Sequence, residues 1–143
     1  MNILWKKSTP GINRFIGEIT DPVWHNYHGY RDVEFDYRGG HYRLISTGDL
    51  YKIDYSGMPH LMRAYSTIYK NEKYATVNFS DYRRYYTRGK KQLRLKDFVW
   101  AAFGDKDIPH GCHITCKNGN WSACGITNLE VVANGISRKR GQI

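Results

Sequence analysis

The chain is 143 residues long and carries 22 Lys and Arg against 13 Asp and Glu, a formal charge of +9. Its 41% apolar and 15% aromatic content is enough to bury a core, which excludes a disordered chain and any need for a stabilising disulfide or metal. No apolar run reaches about 18 residues, so a membrane-spanning helix is excluded, and the cationic excess points to a phosphate polyanion as partner.

One small α+β domain is expected, in three segments. Residues 1–38 read as an irregular N-terminal arm, because Pro10, Gly11, Gly17, Pro22 and Gly29 interrupt short apolar pieces. Met1 to Pro10 lacks the apolar stretch of a signal peptide. Residues 39–80 read as a small β-rich module: a strand from His41 to Ser46, a tight turn at Thr47-Gly48-Asp49, a return over Leu50 to Ile53, and an alternating strand from Lys73 to Phe79.

Residues 81–143 open on a cationic stretch, in which Arg83, Arg84, Arg88, Lys90, Lys91, Arg94 and Lys96 alternate with Tyr82, Tyr85 and Tyr86, with no acid between Arg83 and Lys96. Thr87 to Lys91 reads as the tip of a hairpin. Cations would hold phosphates and the rings could stack on bases or ribose. Leu95, Phe98, Val99, Ala102 and Phe103 then fall on one helical face, and Gly104 stands where a C-terminal cap glycine belongs. Arg138-Lys139-Arg140 forms a second basic cluster.

The odd number of cysteines, Cys112, Cys116 and Cys124, makes a poor disulfide framework and favours a reducing compartment. With His113 they supply four weak candidates for zinc, but the paired C-x2-C that opens most structural zinc sites is missing, so buried inert thiols and no metal are expected. His113 lies three positions before Cys116, which on a strand places them on opposite faces. His110 has no partner in the sequence.

From Leu95 onward the chain resembles the HNH homing endonucleases of phages and mobile introns. Leu95-Lys-Asp-Phe-Val-Trp-Ala-Ala-Phe103 is similar to their first helix, Pro109 to Asn120 to their central motif, and Thr127-Asn-Leu-Glu-Val-Val132 to the following strand. Tyr42 to Tyr51 looks like the small module that often precedes this nuclease. The resemblance implies a C-terminal ββα unit of the ββα-metal type, from Ile114 to about Lys139. It also implies that Thr115, Cys116, Asn128 and Ser137 stand at the catalytic positions. Three of these depart from the family: Thr115 replaces an Asp ligand, Cys116 a His general base, and Ser137 a helical Asn. A hydroxyl and a thiol are poor substitutes for a carboxylate on a hard divalent ion and for an imidazole that takes a proton near neutral pH.

The function expected is therefore nucleic-acid binding, to duplex DNA, on a catalytically degenerate scaffold. Arg83, Arg84, Tyr85, Tyr86, Arg88, Lys90, Lys91, Arg94, Asn120, Arg138, Lys139 and Arg140 would make the contacts. No cofactor is expected. The setting implied by the resemblance is the cytoplasm of an infected bacterial host. Two alternatives remain: an active endonuclease using Mg or Mn at a divergent site, and a phage factor that binds and inhibits a host protein machine.

Overall fold

Thr9 followed by Pro10 is a helix start: the Thr9 hydroxyl accepts from the Ile12 amide at 3.4 Å, and proline at the first helical position loses no hydrogen bond. The computed structural model, which describes residues 5–80 and 90–135, accordingly opens with helix α1 (Pro10–Gly17). Strands β1 (Thr20–Tyr27) and β2 (Tyr30–Tyr37) follow. The segment expected to be irregular is thus a helix and a hairpin. In β2 the residues Val33, Phe35 and Tyr37 are buried, while Glu34 and Asp36 between them are partly exposed, the period of a half-buried strand.

Strands β3 (Gly40–Ile45), β4 (Leu50–Ile53) and β5 (Pro59–Leu61) extend this hairpin into a five-stranded antiparallel meander, which runs across the border drawn at residue 38. A second antiparallel sheet holds β6 (Tyr65–Tyr69), β7 (Glu72–Ser80) and β8 (Lys90–Arg94). Ser80 pairs with Lys90 and Phe79 with Lys91, so these two lysines belong to a strand, not to the tip of a hairpin. Helix α2 (Leu95–Phe103) begins directly after β8. Strands β9 (Cys112–Cys116) and β10 (Leu129–Ala133) form a two-stranded ribbon joined by a long connection ending in a short 3-10 turn over Ile126–Asn128. The ribbon lies where the strands of the expected ββα unit would fall. Its helix, with Ser137, Arg138, Lys139 and Arg140, falls outside the described residues, as do Arg83, Arg84, Tyr85, Tyr86 and Arg88.

One aromatic core joins these parts. Phe15 of α1 meets Tyr37, Phe79 and Phe98 at ring-centroid distances of 4.3, 4.8 and 5.3 Å, so it touches both larger sheets and α2. Helix α2 is buried nearly all round, including Asp97 and Trp100. Gly104 ends α2 with φ −66, not in the left-handed conformation expected of a cap glycine. It is glycine for lack of room: a Cβ there would lie 2.4 Å from the Trp100 indole.

The meander and the ribbon are locked by close backbone approach. A Cβ on Gly125 would lie 2.9 Å from the Thr47 carbonyl oxygen, and the Ile126 amide donates to the Ser46 carbonyl at 2.8 Å. The β3–β4 turn therefore sits on the β9–β10 connection and fixes how the ribbon stands against α2.

Candidate nucleic-acid interface

Lys70 and Asn71 form the two-residue turn between β6 and β7, both with positive φ (51 and 67). This turn, the start of α2 and strand β9 surround an open cavity of about 470 Å³. Four cations line it: Lys70, Lys73, Arg94 and Lys96. So do the rings of Tyr69, Tyr74 and Trp121. The buried members Asp97, Ile114 and Cys116 form its deepest part, beside His113 and Thr115.

The cations rest on the rings. The Arg94 guanidinium is 3.7 Å from the Tyr74 ring centroid, the Lys96 ammonium 4.8 Å from the same ring, Lys70 5.4 Å from Tyr69 and Lys73 5.7 Å from Trp121. Among the described residues none of the four makes an ion pair with a carboxylate. A ring holds a cation in place without cancelling its charge, so the group keeps its full attraction for an anion. Tyr74 donates its hydroxyl to Glu72 at 2.8 Å; burial and that bond push its pKa up to about 12.

Cations at 70 and 73 were not expected from the sequence, which pointed to the 83–94 stretch. Of that stretch the structure brings Arg94 to the cavity, and Lys96 joins it from α2. Lys91 follows the buried side of β8, in step with Leu93 and Leu95, and does not line the cavity.

The positions implied to be catalytic are dispersed. Thr115 is half-buried at the cavity, opposite Glu130 across the ribbon. Cys116 is buried beside Cys124, whose thiol donates to the Trp121 carbonyl oxygen at 3.5 Å. The neighbouring Cys124 makes Cys116 the more acidic thiol, and Lys96 adds to this. Cys112, at the far end of β9, is not part of this pair.

Asn128 does not face the cavity. Its amide nitrogen donates to the Ala123 carbonyl at 2.8 Å and to Asn118 Oδ1 at 3.1 Å, and its oxygen accepts from the Asn118 amide at 3.3 Å. It braces the connection between β9 and β10. Asn120 likewise folds back locally, its Oδ1 accepting from the Ser122 amide and hydroxyl at 3.0 and 2.8 Å.

His113 has the partner that the sequence concealed: its Nδ1 lies 2.7 Å from Asn134 Oδ1 just beyond β10. With the amide oxygen accepting, Nδ1 carries the hydrogen of that bond. His113 shares a face of β9 with Thr115, and Cys116 points the other way, as strand geometry predicts.

No protein-family model and no curated protein matches the chain. A solved structure does, described as "DNA binding and cleavage by the HNH homing endonuclease I-HmuI", with a TM-score of 0.51 and 22% sequence identity. The match covers 85% of this chain and 60% of that one. At that identity the likeness establishes a shared fold: mixed, mostly antiparallel sheets with short helices.

Proposed function

We propose that the chain binds nucleic acid, duplex DNA in the first instance, on an HNH-like scaffold whose cleavage chemistry has been lost. The observation that carries this is the cavity: four cations held on aromatic rings, with no described carboxylate paired to any of them. Such an arrangement draws in phosphate oxygens and offers ring faces beside them. The basic residues of the 83–91 stretch and of 138–140 would extend the contact along the backbone. The likeness to the fold of a DNA-binding, DNA-cleaving protein agrees with this reading.

The residues on β9 support the reading that cleavage is lost. A hard divalent ion needs carboxylate or carbonyl oxygens. Thr115 offers a neutral hydroxyl, and the Cys116 sulfur is buried beside Cys124. This pair does not fit such an ion, so no hydrolytic step is assigned to it.

Fluorescence anisotropy with a labelled duplex tests the proposal. Affinity should fall linearly with salt on logarithmic axes. The triple variant Lys70→Glu, Lys73→Glu, Lys96→Glu should weaken binding about a hundredfold, since each reversal replaces a phosphate contact by a repulsion. Unchanged affinity would remove the cavity from the interface. Cleavage of the duplex by the wild type with magnesium or manganese would overturn the claim of lost chemistry.

A further inference from the structure

Asp97 is the anomaly of the cavity. It lies in the first turn of α2, is 6% exposed, and lines the cavity. Among the described residues it accepts no hydrogen bond and has no ion pair, although Lys96, Arg94 and His113 are close enough to act on it electrostatically. With no donor from the described residues, its carboxylate is presented to the open cavity, where a ligand can supply one.

Building on the nucleic-acid reading above, we infer that the cavity takes one unstacked guanine nucleotide, with the N1–H and N2–H of the base on the Asp97 carboxylate and its phosphate on the surrounding cations. The volume of about 470 Å³ suits one nucleotide. Tyr69 and Trp121 line its sides as ring surfaces against which a base can stack. Guanine is the base whose pairing edge sets two N–H donors side by side, the spacing of a carboxylate's two oxygens. A divalent cation is the poorer occupant. No group of three His, Cys, Asp or Glu surrounds a common point among the described residues, and Arg94 and Lys96 repel a bare cation near Asp97. A neutral donor edge joined to an anionic phosphate matches both the carboxylate and its cationic rim.

The test uses short thymidine oligonucleotides carrying one central guanine, hypoxanthine or adenine, read by fluorescence anisotropy beside the duplex. Hypoxanthine keeps N1–H and lacks the N2 amine, so the ligand is altered without touching the fold. The full chain should bind the guanine oligonucleotide about tenfold or more tightly than the adenine one, with hypoxanthine between them. In Asp97→Asn that preference should disappear, the guanine oligonucleotide binding no more tightly than the adenine one, while melting confirms the fold. Equal affinity for the three oligonucleotides, or a preference that survives in Asp97→Asn, would overturn the inference and leave the duplex reading standing. Failure to bind either duplex or oligonucleotides would remove the nucleic-acid reading itself. Magnesium alone raising the melting temperature of the wild type, but not of Asp97→Asn, would assign Asp97 to a cation and overturn the base-binding role.

Discussion

Two buried aspartates divide the molecule. Asp32, on β2 of the meander, is 0% exposed and fully engaged: His25 Nδ1 lies 2.8 Å from one oxygen, and the Arg43 guanidinium is 2.7 Å from the other. Asp97, on α2, is almost as buried and has no such partner among the described residues. The same contrast holds for their surroundings. Around the meander, Arg38 bonds Glu18, His41 bonds Asp36 and His60 bonds Asp54. Around the cavity the cations lie on tyrosine and tryptophan rings. Among the described residues the ion pairs lie on the meander side, and the cavity leaves its cations available. A buried charge with partners is architecture, and one without is an opening for a ligand.

The largest effect should come from breaking the closed half. Asp32→Ala removes the buried acceptor shared by the Arg43 guanidinium and His25 Nδ1, whose own side chains are about a third exposed, which costs roughly 2–4 kcal/mol. Urea denaturation should show this as a lower midpoint with an unchanged slope. A loss below about 1 kcal/mol would mean that Arg43 and His25 find other partners, and the contrast with Asp97 would weaken.

A smaller effect tests the site that the resemblance suggested. Restoring the family's residue by Cys116→His places a ring where a thiol packs against Ile114, Cys124 and Leu129 in the core, and overpacking of that kind costs about 1–3 kcal/mol. Thermal melting should fall accordingly. An unchanged Tm would show that the floor of the cavity accommodates a ring at 116, keeping that position open to the candidate site.

The strands β3, β4 and β7 and the helix α2 were legible because their apolar residues repeat at the period of the element that buries them. The first third was not read correctly. Its glycines and Pro22 looked like interruptions, yet Thr9-Pro10 is a helix start, and Val33, Phe35 and Tyr37 alternate as cleanly as any strand in the chain. The charged residues between them obscured the pattern, because their partners lie on other strands: Asp32 meets His25 and Arg43, and Glu34 meets His41. The candidate site was the least legible part. Lys70, Lys73, Arg94 and Asp97 come from a turn, two strands and a helix that only the folded chain brings together. Asp97 sits off the apolar face of an amphipathic helix, so it reads as exposed; α2 being covered on nearly every side is what buries it. Spacing alone does not reveal that Asn128 braces the connection while His113 and Thr115 share the open face.

The smallest effect, opposite in sign to the others, sharpens the comparison most. Burial raises the pKa of Asp97 in the folded chain, with Lys96, Arg94 and His113 pulling against it. An acid whose folded pKa lies above its unfolded value near ~3.9 favours folding when protonated. Its contribution is therefore fully present below about pH 4 and is lost as pH rises through the folded pKa. Asp97→Asn keeps the shape, removes the charge and abolishes that loss. The variant should match the wild type in Tm at low pH and exceed it at pH 7 by about 2–4 °C, corresponding to roughly 1 kcal/mol. The gain is modest because an asparagine amide in the same place still lacks a full set of partners. Asp32→Asn should move the other way at pH 7, since it removes half of two ion pairs. If Asp97→Asn instead lowers Tm at pH 7, a cation of the chain holds Asp97 in the folded state, the two aspartates belong to one class, and the cavity loses its unfilled acceptor.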